Sequence, residues 1–190
     1  ASGTYDAPGV DILPPYTELR IQGMDRYLNT FSPVESTVDD AGVTSHRFAV
    51  EKDGPQCLYG GEFNTMTRDQ GHADLVLFLQ GGGLCYSDLC LAVTEALPGM
   101  PSIDILNTEA EFNPVRSWNQ AYVPYCDGSL FGGDVEIDDD GDGVVDRIQH
   151  GLMNLSAAMD VAADEFPDPE RILIAGSSGG GYGTMIATVL

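Results

Sequence analysis

"RILIAGSSGGGYGTMIATVL", residues 171–190, is the stretch whose reading decides the fold. Ile172 to Ala175 form a short apolar run, the pattern of a buried strand. Gly176-Ser177-Ser178-Gly179-Gly180 follows, then residues that suit the start of a helix. A strand running into G-x-S-x-G and then a helix is the context of a nucleophile elbow, with Ser178 at the turn. Such a turn crowds its neighbours, so only small residues fit at the flanks, here Gly176 and Gly180. The following helix points free N–H groups and its positive end at the serine oxygen. A glycine-rich turn without chemistry, or a phosphate cradle, would look similar. The chain has no G-x-G-x-x-G after another strand and no Walker lysine, which favours the elbow.

Working back along the chain, "FPDPER" ends a helix, because Pro167 and Pro169 cannot continue one. The helix before it is marked by Ile148, Leu152, Leu155, Met159 and Ala162, which step by four and three and form one apolar stripe. Strand, helix, strand at this spacing is a βαβ unit, so the expected class is α/β with a mostly parallel central sheet flanked by helices. "ADLVLFLQGGG" supplies another strand, a continuous apolar run from Leu75 to Leu79 that suits burial on both faces. "NQAYVPYCDGS" and "HRFAVEKDG" read as further strands. Residues 1–40 read as irregular, with "ELRIQGM" the one candidate strand. No internal repeat is visible.

The three glycines after the Leu75–Leu79 run bear on the elbow. An oxyanion hole takes one N–H from the residue after the nucleophile, here Gly179, and another from a glycine loop after an earlier strand. Gly81, Gly82 and Gly83 stand in that place.

Eight basic residues against 30 acidic ones give a net charge of -22, which argues against nucleic acid or an anionic membrane as a partner. No apolar run approaches the roughly 20 residues needed to span a bilayer. The opening "ASGTYDAPGV" is small and polar, as a mature N-terminus left by signal cleavage or by recombinant expression would be. The four cysteines, Cys57, Cys85, Cys90 and Cys126, lack paired C-x-x-C spacing. An even count suits two disulfides in an oxidising compartment, with three connectivities open.

"DDDGDGVVD" places Asp138, Asp140 and Asp142 at alternate positions, then Gly143, the carbonyl of Val144, and Asp146 at position nine. That is the front of an EF-hand-type loop, whose hard oxygens would hold a structural Ca2+. Position twelve is Gln149 instead of a bidentate glutamate, so Asp134 or Glu136 would have to complete the shell. An acidic surface turn is the plainer alternative. Residues 134–147 as a whole read as an acidic insertion.

The order "LFLQGGGLCYSDLC", "NPVRSWNQAYVPYCDGSLFGGD" and "HGLMNLSAAMDVAADEFPDPERILIAGSSGGGYG" resembles the pectin acetylesterase family, which includes the Notum-like carboxylesterases. The likeness runs from about Cys57 to Tyr182. It implies an α/β-hydrolase-like fold, with residues 1–190 as the N-terminal portion of one such domain, and a secreted enzyme acting on carboxylic esters. Ser178 falls on the family nucleophile, and Gly82, Gly83 and Gly179 fall on the oxyanion loop and its partner. Cys85 and Cys90 fall on a paired-cysteine motif, which leaves Cys57 for Cys126. Trp118 and Asn119 match a motif leading into the strand before "PYC". Gln80 and Leu84 stand where the family has Glu and Trp, and Gly179 where it has Ala.

In this family the triad runs Ser, Asp, His along the chain. His46, His72 and His150 all precede Ser178, so each reads as structural: His46 before a strand, His72 at a strand entrance, His150 heading the helix. The acid and base are then expected beyond Leu190, in a C-terminal segment or second chain that completes the fold. The expected function is a secreted serine carboxylesterase acting on an ester substrate, an acetylated polysaccharide. It would need no catalytic cofactor. The alternatives are a non-catalytic, calcium-stabilised binding module on the same fold, and a lipase or peptidase of that fold.

Overall fold

A computed structural model describes residues 17–190. The opening decapeptide lies outside the described residues. At the centre is β4 (Asp74–Leu79), with all six residues buried. Its pleat sends Leu75, Leu77 and Leu79 to one core and Val76 and Phe78 to another. A continuous apolar run is what a strand covered on both faces requires.

Around β4 the structure builds one six-stranded sheet in the order β1-β2-β3-β7-β4-β10. The strands are β1 (Glu35–Val38), β2 (Val43–Arg47), β3 (Asn64–Arg68), β7 (Asn119–Val123) and β10 (Arg171–Gly176). Only β7 and β10 run parallel to β4; the pairs β1–β2, β2–β3 and β3–β7 are antiparallel. The sheet is therefore mixed, not mostly parallel. A short turn joins β1 to β2, which favours antiparallel pairing, whereas the β7–β10 crossover carries a helix.

That helix, α2 (Gly151–Glu165), lays Leu155, Ala158, Val161 and Ala162 on Leu75, Leu77 and Leu79. The expected stripe is corrected at its start. Ile148 belongs to strand β9 (Arg147–Gln149), where its N–H bonds the carbonyl of Leu58 at 2.7 Å. Residues 151–158 are buried all round, because α2 has the sheet on one side and the chain around Tyr27 on the other. Leu152 packs with Tyr27 and Met153 instead of with the sheet.

Two hairpins project from this frame: β5 (Gly83–Tyr86) with β6 (Leu89–Ala92), and β8 (Val135–Ile137) with β9, which carries the acidic loop. The N-terminal reading is corrected too. "ELRIQGM" forms the short helix α1 (Thr17–Ile21) and the entry to a 3-10 turn (Met24–Tyr27), and β1 lies within residues 1–40. Asp160 of α2 accepts the N–H groups of Asn29, Thr30 and Phe31, fastening this segment to the helix. The "HRFAVEKDG" strand ends at Arg47, so His46 lies within β2 and not before it.

The disulfides are Cys57–Cys126 and Cys85–Cys90. The first closes 69 residues, worth about 4 kcal/mol in the chain-entropy account. Among the described residues, no helix is long and apolar enough to cross a membrane.

Candidate active site

Strand β10 ends at Gly176 and helix α3 (Gly179–Ala187) begins three residues later. Between them Ser178 has φ 51° and ψ -118°, a conformation that costs a non-glycine residue of order 1–3 kcal/mol. The chain around it is packed backbone to backbone. A methyl at Gly176 would strike the Gly180 carbonyl, and one at Gly180 would strike that of Leu79. Ser177 donates to Leu79 O at 3.2 Å, so β4 and the turn are joined as well. The first N–H groups of a helix have no partner within it, and Gly179 holds that position directly after Ser178.

The glycine loop meets this turn. A Cβ built on Gly81 lies 2.8 Å from Ser178 Cβ, and one built on Gly179 lies 3.4 Å from Gly83 O. Gly83 has φ 85° at the mouth of the β5–β6 hairpin, where a side chain would be driven into the Leu91 carbonyl; only glycine fits. The structure thus brings Ser178, Gly179 and residues 81–83 together from two strand ends.

Sequence reasoning missed what lies beneath them. Tyr125 is fully buried, and burial pushes its hydroxyl up to about 12. That hydroxyl accepts the Leu130 N–H at 2.9 Å. Leu130 and Phe131 have φ 58° and 65°, two consecutive bulky residues in the left-handed region. Asp127, also buried, is pushed up to about 6 by desolvation, against the opposing hydrogen bonds from Ser129 and the Gly151 N–H. The signal available in the sequence was "YCDGSLFGG", where small and turn-forming residues surround one tyrosine and one aspartate.

The three histidines make their contacts elsewhere. His46 is buried between Ser36 and Thr67, at 2.9 and 2.8 Å, and burial lowers its pKa. Its strand is four places from β10, roughly 19 Å at the usual strand spacing. His72 precedes β4, at the opposite end of the parallel strands from Ser178, with its ring stacked on Trp118. His150 caps α2, and its Nδ1–H donates to Gly54 O at 2.8 Å.

In the acidic loop, Asp138, Asp140 and Asp146 can bring carboxylate oxygens within 4.8 Å of one another, a hard-oxygen set that fits Ca2+. Asp142 falls outside this group; its carboxylate accepts the Val144 N–H at 2.8 Å. Asp134, expected as a completing ligand, accepts the donors of Arg26 and Tyr27 at its Oδ2. Gln149 lies in β9, facing the Cys85 carbonyl at 3.5 Å.

The described chain is thus an α/β protein with a mixed sheet, two disulfides and a serine turn set against a glycine loop. A family model described as Pectinacetylesterase matches residues 46–188, and the chain belongs to that family of carboxylic ester hydrolases. The match runs from within β2 through the end of α3 and includes the acidic loop. No curated protein matches the chain.

Proposed function

We propose that this protein is a secreted serine carboxylesterase with an α/β-hydrolase-like sheet, removing O-acetyl groups from a polysaccharide. The carrying observation is Ser178, strained between β10 and α3 and set beside Gly81, with Gly179 next to Gly83. Ser178 Oγ attacks the ester carbonyl, and the Oγ–C bond forms as the C=O π electrons move to oxygen. The N–H of Gly179 with those of Gly82 and Gly83 stabilises that oxyanion. Collapse expels the sugar alcohol, which takes the proton first removed from Ser178. Water then attacks the acyl-enzyme and releases acetate.

The base and its orienting carboxylate come from a further segment that pairs with β10. This strand is the outermost of the described sheet on that side, with Ile172 56% exposed. Beside it an apolar groove of about 250 Å³ runs between Met159, Phe166, Ile172 and Ile174. The two disulfides support an oxidising, extracellular setting. We further propose that Asp138, Asp140 and Asp146 hold a structural Ca2+ through their carboxylates.

One observation favours a second reading, a non-catalytic binding module: the contacts of all three histidines lie away from Ser178. Fluorophosphonate labelling followed by intact mass, with hydrolysis of 4-nitrophenyl acetate and acetylated pectin, separates the two in the full-length protein. The esterase reading expects one adduct per protein, and loss of adduct and hydrolysis in Ser178→Ala. Hydrolysis that survives the substitution, or a wild-type protein that neither labels nor hydrolyses, rejects it.

A further inference from the structure

We propose that Tyr125 is a positioning residue that sets the spacing between the two halves of the oxyanion hole. The inference rests on the esterase reading above and concerns the same site. The donors come from two chain segments, the loop after β4 and the first turn of α3. An oxyanion hole works only if such donors are held within a few tenths of an ångström of the place where charge develops. Something must therefore fix one segment against the other.

Tyr125 lies beside both. A Cβ built on Gly82 lies 2.5 Å from Tyr125 Cδ1, and one built on Gly179 lies 3.8 Å from Tyr125 Cζ. The near side of the ring thus faces the loop and its far end faces the helix start. Both ends of the residue are tied. Its N–H donates to Gln80 Oε1 at 3.0 Å, and its hydroxyl accepts the Leu130 N–H at 2.9 Å.

Leu130 closes the circle, since its Cδ2 lies 3.2 Å from the Cβ position of Gly179. Phe131, whose ring centroid is 5.1 Å from that of Tyr125, presses on Gly183 one turn further along α3. Leu130 and Phe131 both sit at positive φ, which persists only where surrounding contacts over-determine it. The Tyr125 hydroxyl is one such contact. The ring therefore acts as a spacer, and the strained Leu130-Phe131 pair clamps α3 onto it.

A tyrosine that only fills the core would affect stability and leave transition-state stabilisation alone. Tyr125→Leu removes the spacer, and Tyr125→Phe keeps the ring but drops the hydroxyl. In the full-length protein three quantities are measured: kcat and KM on 4-nitrophenyl acetate, the second-order rate of fluorophosphonate labelling, and the thermal midpoint. Losing one oxyanion donor costs about 100-fold or more in kcat, and misplacing one by an ångström costs a similar amount. The expected result for Tyr125→Leu is a fall in kcat of about that size, with KM within about threefold and labelling slowed in parallel. Tyr125→Phe should recover most of that loss and stop about fivefold short of the wild type.

A folded Leu variant with undiminished kcat overturns the inference, as does a loss confined to KM. If the Leu variant does not fold, Tyr125→Phe decides: kcat lowered at constant KM supports the inference, and unchanged kcat overturns it. A wild-type protein that neither labels nor hydrolyses removes the esterase reading and this inference with it. An active wild type with an unimpaired variant removes this inference alone.

Discussion

Asp127 has the most consequential burial at the residue scale. Its carboxyl is 1% exposed, and burial raises its pKa from 3.8 to about 6. Below about pH 4 the group is protonated in both folded and unfolded chains; between about 4 and 6 only the folded chain keeps the proton. The unfolded state then binds fewer protons, so this group's contribution to stability falls as pH rises through that window. The total is about 3 kcal/mol, from a shift of about two pK units. Asp127→Asn cannot titrate. The unfolding free energy of the wild type minus that of the variant should therefore drop by about this amount between pH 4 and pH 7. Urea unfolding at several pH values checks it, and a flat difference would show the carboxyl to be solvated. His150 lies near enough for its charge to lower the aspartate's pKa, so it moderates the effect.

Among elements, the β8–β9 hairpin depends most on its surroundings. Its connecting loop concentrates Asp138, Asp139, Asp140, Asp142 and Asp146, with Arg147 pairing to Asp139. Backbone N–H bonds from Gly143 and Gly141 hold the Asp138 carboxyl below its ordinary range, so it stays ionised at neutral pH. Mutual repulsion of the remaining charges is unrelieved without a cation. With the proposed Ca2+ at 100 times its Kd, linkage gives about 2.7 kcal/mol of stabilisation. The thermal midpoint should rise by several degrees on adding calcium to chelator-treated protein, and Asp138→Asn should abolish the rise. An equal rise with magnesium or in the variant would assign the effect to general screening.

The whole molecule carries a net charge of -22 on 190 residues, so the compact state repels itself. Taking KCl from about 0.01 to about 1 M shortens the screening length from about 30 to about 3 Å. Stability in chelator-treated protein should increase across that range, read by thermal melting followed by circular dichroism. No change would mean that the acidic residues already lie too far apart to interact.

The local pattern was enough to place β4, β7, β10, α2 and the serine turn, because each rests on short-range physics. An apolar run between glycines makes a buried strand, prolines stop a helix, and only glycine tolerates backbone contact at positions 176 and 180. The same local view put Ile148 in the helix and "ELRIQGM" in a strand, where periodicity over a few residues could not tell neighbouring elements apart. Tertiary structure decided what depends on partners distant in sequence. Strand order made the sheet mixed. Asp134 is bonded to Arg26 and Tyr27 across more than 100 residues. Tyr125 lies beside Gly82 and Gly179 only because three parallel strands, β7, β4 and β10, end side by side, a juxtaposition that no spacing along the chain encodes.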